Sequence, residues 1–147
     1  MPHEIDLRVR FYELDAYGHV NHSVYVQYFE VGRVEALAEA RMGLDTLQAD
    51  MGINMVVVQI CTRFLGSAVL GDDLVVESGL SAVGRVKATW AQRIRRGSEV
   101  LATQEMTSAC ITAAGKPTRF PPELVKALEP YRVEPGWLGN TAPKKLG

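Results

Sequence analysis

The stretch ELDAYGHVNHSVYVQYFEVGR, Glu13 to Arg33, decides how this chain reads. It sets an aspartate, a glycine, two histidines and an asparagine directly ahead of a helix-like apolar pattern. Gly18 can take backbone angles closed to other residues, so a turn is expected around residues 14 to 20, and Asn21 is a good N-cap for a helix starting at the next residue. From His22 the period is helical. Val24, Tyr25, Tyr28, Phe29, Gly32, Leu37 and Ala40 fall on roughly one stripe, Gln27, Glu30, Glu35 and Glu39 mostly off it, and the helix is expected to end near Gly43. Asp15 stands seven residues before His22. A carboxylate is thereby aimed at a helix start, where unpaired N–H groups and the helix dipole favour an oxygen gaining negative charge.

Upstream, Ile5, Leu7, Val9 and Phe11 alternate with Asp6, Arg8, Arg10 and Tyr12, the period of a strand with one buried face. Downstream, NMVVVQICTRFL (residues 54 to 65) is β-branched and apolar and reads as a buried strand, with Gln59 as a polar insertion in need of a partner. LGDD at 70 to 73 makes a turn into the strand LVVESGLSAV, and Gly84 bends the chain into another. In that next strand Val86, Ala88, Trp90 and Ile94 face one way and Arg85, Lys87, Arg93 and Arg95 the other, giving one core face and one wet, positive face. EVLATQEMTSACITAA follows a tight Arg96-Gly97-Ser98 connection, and PPELVKAL makes a short helix with proline in its first turn. Short turns make antiparallel pairing of successive strands the default, and the long apolar helix must be buried against the sheet: an α+β layer with a central helix.

With 147 residues, 47% of them hydrophobic, the chain suits one domain, expected over residues 1–129. Residues 130–147, with three prolines and three glycines from Pro130 on, are expected to be poorly ordered or draped on the surface. No apolar run reaches membrane-span length and the amino end lacks a signal-peptide pattern, so a soluble, cytoplasmic protein is expected, with no membrane partner. The net charge of −1 divides into −5 over residues 1 to 60 and +4 over the rest, which argues against a general nucleic-acid binder. Cys61 and Cys110 have no metal-ligand spacing and read as buried thiols, and the three histidines lack a convincing third ligand, so neither metal nor cofactor is expected.

VRFYELDAYGHVNHSVYVQYFEVGRVEAL resembles the signature of hotdog-fold thioesterases of the 4-hydroxybenzoyl-CoA thioesterase type, and ELDAYGHVNHSVY is also similar to the plant acyl-lipid thioesterase branch. The likeness extends loosely from about Ile5 to about Leu128 and includes RFLGSAVLGDDLVVES. It implies a five-stranded antiparallel sheet wrapped around a long helix, homodimers with a continuous sheet, homotetramers built from them, and substrate pockets at the dimer interface. It implies hydrolysis of an acyl-CoA or acyl carrier protein thioester, with the catalytic acid on Asp15 and the oxyanion donor near His22. Two positions depart from the pattern. Phe64-Leu65-Gly66-Ser67 lacks the usual proline, and Gln59 stands where relatives often carry Glu or Asn, which leaves Asp15 as the acid to rely on.

A thioester needs mainly a placed nucleophile or base and a donor for the developing oxyanion. Asp15 and the helix start would supply these, by direct attack or by activating water. The plain alternative is that Asp15 caps its own turn through an Asx hydrogen bond. His22 would orient the carboxylate, donate to the thioester oxygen or assist the leaving thiolate, or simply bond nearby backbone. His19 reads as a turn residue near the site, Asn21 as a cap, and Tyr25 as a core residue that also lines the acyl pocket. Arg93 and Arg95 are the candidates for coenzyme A phosphates or for an acidic carrier protein, against a simply solvated strand face. Two other classes stay open: a non-catalytic hotdog module that binds acyl thioesters, and a hotdog dehydratase or hydratase with His22 as base, for which no HxPxxP arrangement is present.

Overall fold

A computed structural model describes residues 1–144. Five strands, β1 (His3–Arg8), β2 (Ile53–Phe64), β3 (Asp73–Val83), β4 (Lys87–Arg96) and β5 (Glu99–Thr112), form one antiparallel sheet in the order β1-β3-β4-β5-β2. Three α-helices accompany it: α1 (His22–Glu39), α2 (Leu44–Met51) and α3 (Pro122–Leu128). Among the described residues no helix is long and apolar enough to cross a membrane.

The hairpins β3–β4 and β4–β5 follow the expected short turns. β2 does not pair with β3: it lies at the far edge beside β5, and residues 65–72 cross the end of the sheet. That crossover is pinned from both sides. The N–H groups of Leu65 and Gly66 share the Leu101 carbonyl, Val20 N–H donates to Ala68 O, and Val9 N–H donates to Asp72 O. The bend at Phe64–Ser67, which has no proline, is held by those paired donors.

α1 lies against β1, β3 and β4. Asn21 caps it, its side-chain oxygen accepting from Ser23 N–H at 2.9 Å. Gly32 sets the closest approach to the sheet, since a Cβ there would stand 2.7 Å from Ser78 Oγ and 2.8 Å from Val76 Cγ1. The first half of the helix buries Tyr25, Tyr28 and Phe29 with Val76, Ile94 and Leu101, and the second half buries Ala36 and Leu37 with Leu80, Trp90, Met106 and Leu124. Arg33 falls between these clusters along α1. It is itself buried, with Nη1 donating to Gln92 Oε1 (2.8 Å) and Gln104 Oε1 (3.0 Å).

Several expectations are corrected. Phe11 leaves the strand for a single 3-10 turn (Phe11–Glu13) and is 75% exposed. The helix stops at Glu39, and residues 44–51 form α2, a helix that the apolar pattern did not announce. β2 is an edge strand and not a buried one: Val57 is 54%, Ile60 43% and Phe64 47% exposed. Gln59 follows a bulge, is exposed, and so needs no partner. Cys110 is buried and burial pushes its thiol pKa up, whereas Cys61 is only half-buried; both thiols are free.

The outer face of β4 is wet and positive only at its start, where Arg85 and Lys87 are exposed, and not at Arg93 and Arg95. Arg93 and Arg95 both bond the carboxylate of Glu77, which is 3% exposed, through Nε at 3.0 and 2.7 Å. The C-terminal tail covers this face. Val133 N–H donates to Leu80 O, the Trp137 ring lies 4.3 Å from the Arg93 guanidinium, Thr103 Oγ1 donates to Thr141 O, and Arg63 Nη1 donates to Asn140 O. Residues 145–147 of the expected tail lie outside the described residues.

Candidate active site

The loop between the 3-10 turn and α1 folds back on itself. Leu14 and Val20 form an antiparallel bridge, Gly18 takes φ +81°, and Asp15 N–H donates to His19 O at 2.7 Å. Asp15 Oδ1 accepts from Tyr17 N–H (2.8 Å) and His19 N–H (3.2 Å), the Asx-type bonds of a turn-former. No donor among the described residues meets its Oδ2. The loop then closes on the helix start, where Asn21 N–H donates to Glu13 O. Ser23 N–H is taken by the Asn21 cap and Val24 N–H by the Asn21 carbonyl, whereas the His22 N–H meets no acceptor among the described residues. One carboxylate oxygen and one helix-terminal donor therefore remain unengaged at the two ends of an eight-residue segment, Asp15 to His22.

Tyr25, one turn into α1, is buried and locks this region to the crossover. Its hydroxyl accepts from Ala68 N–H at 2.9 Å and lies 3.4 Å from Gly66 O. Its pKa is raised by burial, which outweighs the lowering by the Ala68 N–H bond and the Arg96 charge. Phe64 lies edge-on to both His22 (6.5 Å between centroids) and Tyr25 (5.6 Å), so the end of β2 forms a wall beside the helix start. Beneath, Tyr28 donates to the buried Glu13 carboxylate at 2.7 Å, and Glu13 also accepts from Arg10 N–H at 2.8 Å.

The sequence-derived candidates thus divide. Asp15 and His19 share the turn ahead of α1, and Asn21, His22 and Tyr25 occupy its cap and first turn. Gln59 does not join them, because it pairs in register with Thr107, and directly opposed residues share a sheet face. Thr107 lies beside Thr89 on the side away from α1, since Trp90 and Met106, their neighbours in sequence, are in the core under the helix. Arg93 and Arg95 are also on that outer side, as their neighbour Gln92 donates from the inner face to Phe29 O. Residues missed from sequence include Glu13, Phe64, Arg33, Gln92, Gln104 and Ser108. A signal existed for two of them: Gln92 interrupts the apolar alternation between Trp90 and Ile94, and Arg33 occupies the helical stripe four residues after Phe29.

A five-stranded antiparallel sheet with its long helix entering from such a capped, donor-bearing turn defines a hotdog-fold protein. The chain belongs to the Thioesterase-like superfamily, whose family model matches residues 9–128. It is similar to the acyl-CoA thioesterase YbgC of Haemophilus influenzae, at 30% identity over 122 residues, which cover 82% of this chain and 90% of that protein. It is also similar to the chloroplastic acyl-acyl carrier protein thioesterase ATL3 of Arabidopsis thaliana, 34% identical over 85 residues; this match takes in 58% of the chain and spans only 44% of the plant protein. The crystal structure of a probable thioesterase from Bartonella henselae superposes with a TM-score of 0.78 at 27% identity, covering 82% of this chain and 100% of that one. Family membership classes the chain as a thioester hydrolase.

Proposed function

We propose that the chain hydrolyses an acyl-CoA or acyl carrier protein thioester, with Asp15 as the reacting acid and the His22 N–H as the oxyanion donor. The observation that carries this reading is the unengaged Asp15 Oδ2, held by a turn that closes onto an unengaged helix-terminal N–H. The thioester carbonyl oxygen would take the His22 N–H, where charge developing on attack is stabilised. Asp15 either removes a proton from a water that attacks the carbonyl carbon, or attacks it directly and is released by water. In both routes the carbon–sulfur bond breaks, the thiolate leaves and takes a proton, and the acyl group departs as a free acid. The His22 imidazole sits against Phe64, beside the leaving group's path, and serves to orient substrate or protonate the thiolate.

The second wall of this site comes in our reading from another copy of the chain. β2 offers a twelve-residue unpaired edge with exposed Val57, Val58, Ile60 and Phe64, and a long apolar edge is normally covered. Pairing two β2 edges continues the sheet and makes a homodimer. A homotetramer would have to use a face other than the outer side of the sheet, where residues 132–142 already lie. Arg93 and Arg95, engaged by Glu77 on that outer side, are left out of the proposed substrate contacts.

The Asx-type bonds on Asp15 Oδ1 favour one second reading, a module that binds acyl thioesters without turning them over. Incubation with a panel of acyl-CoAs separates the two. Thiol release above the uncatalysed rate supports the enzyme, and saturable binding with no release supports the module.

A further inference from the structure

Two polar groups under β2 are left without the partners their burial calls for. Arg33 is 8% exposed, and its described hydrogen bonds are the two from Nη1 to the neutral amide oxygens of Gln92 and Gln104; no carboxylate within ion-pair distance is described. Those amides are fixed in turn, Gln92 Nε2 on Phe29 O and Ser78 Oγ, and Gln104 Nε2 on Thr62 Oγ1, so the guanidinium is held in place. Ser108 is 2% exposed and its buried Oγ meets no partner among the described residues. Both residues line one open groove between α1 and β2, with Met55, Val57, Trp90 and Met106 as its apolar walls.

The groove is continuous in register with the site at the helix start. β2 residues Phe64, Thr62, Ile60, Val57 and Met55 oppose Ala102, Gln104, Met106, Ser108 and Cys110 of β5, all on the side of the sheet that faces α1. The row begins at Phe64, beside His22, and ends at Met55, on the groove. Arg33 follows His22 by eleven residues on one helix, a separation of about 16 Å along the axis at a rise of ~1.5 Å per residue.

We infer that this groove is the far end of the acyl site and that it recognises a carboxylate at the distal end of the acyl group, through the free N–H groups of Arg33 and the Ser108 hydroxyl. The reading rests on the proposed thioesterase site, since the helix start fixes where the carbonyl lies. A buried cation with only neutral acceptors lacks the compensation that buried charges normally have. A carboxylate supplies it with charge-assisted bonds, and its second oxygen can accept from a hydroxyl. Burial pushes the Arg33 pKa down, and Glu30, exposed at the groove's rim, opposes that shift without bonding the guanidinium. An extended acyl chain of roughly ten to twelve carbons spans the separation along α1.

The test compares the monothioesters of decanedioic and dodecanedioic acid with decanoyl- and dodecanoyl-CoA. A preference of at least tenfold in kcat/KM for the carboxyl-terminated substrates is expected, falling to below threefold in both Arg33→Met and Ser108→Ala. Ser108→Ala removes one small unpartnered hydroxyl, so it reports on the subsite even where Arg33→Met does not fold. Equal or better use of the methyl-terminated substrates overturns the inference while leaving hydrolysis itself in place. Binding of the free dodecanedioic and dodecanoic acids, followed by Trp90 fluorescence or calorimetry, reads the subsite without turnover. Should no substrate release thiol, the hydrolase reading fails, and the subsite still stands on tighter binding of the diacid or falls on its absence.

Discussion

Asp15 and His19 are tied to each other twice across the Gly18 turn: Asp15 N–H donates to His19 O at 2.7 Å, and Asp15 Oδ1 accepts from His19 N–H at 3.2 Å. The pair makes the carboxylate a structural part of its loop through one oxygen and presents the other. The capping role and the chemical role expected of Asp15 are therefore compatible, each resting on a different oxygen.

Alkaline pH should loosen the helix through Tyr28. Burial, and then its hydrogen bond to the Glu13 carboxylate, raise the Tyr28 pKa. A group raised in the folded state stabilises fully below its unfolded pKa of about 10 and loses that contribution as pH rises through the folded value. Unfolding free energy measured in urea should decline above pH ~10, and Tyr28→Phe should flatten that decline while costing about 1 kcal/mol at pH 7. An identical alkaline slope in the variant would remove Tyr28 as its source.

Acid should loosen the opposite face. Burial pushes the Glu77 pKa up, but the bonds from Arg93 and Arg95 outweigh it and the net shift is downward. Such a carboxylate stabilises above its unfolded pKa of about 4.3 and loses that contribution as pH falls through the folded value. Denaturant titrations below pH ~4 should show the loss, and Glu77→Gln should show less of it.

Reversing Arg93 and Arg95 to glutamate leaves Glu77 buried among like charges. A stability loss of about 3 kcal/mol or more is expected, because an uncompensated buried charge is costly. KM for an acyl-CoA should stay within about twofold, since both side chains face away from α1; a tenfold rise in the folded variant would restore them as phosphate ligands.

The β2 edge is tested by Val57→Lys combined with Ile60→Lys. Light scattering should give a monomer where the unaltered chain gives a dimer or larger species, and thiol release should drop at least tenfold because each site would lose its second wall. A variant that keeps both its assembly and its activity would place the subunit contact elsewhere.

The helix, its asparagine cap and the Gly18 turn were legible because each arises from local chemistry: a 3.6-residue apolar period, a short acceptor side chain and a positive φ. The strands were legible by alternation, but their order was not. β2 carries an unbroken apolar run from Met55 to Val58, which reads as burial in the middle of a sheet, whereas the strand forms an exposed edge. Long-range pairing also hid the fate of the arginines. Glu77 lies opposite Arg93 in the β3–β4 register, and only the folded sheet brings both guanidiniums onto it. Arg33 was hidden in the opposite sense, a charged residue inside an apolar stripe whose neutral partners Gln92 and Gln104 lie 59 and 71 residues away.

The measurement closest to the central claim is thiol release by Asp15→Asn set against the unaltered chain. Asparagine keeps an oxygen that can accept from Tyr17 and His19 N–H, so the turn and the melting temperature should be preserved, while the free carboxylate oxygen is gone. The account predicts a fall in kcat of about 10²-fold or more, the scale of a lost base or nucleophile. Unchanged turnover in a folded Asp15→Asn protein would contradict it.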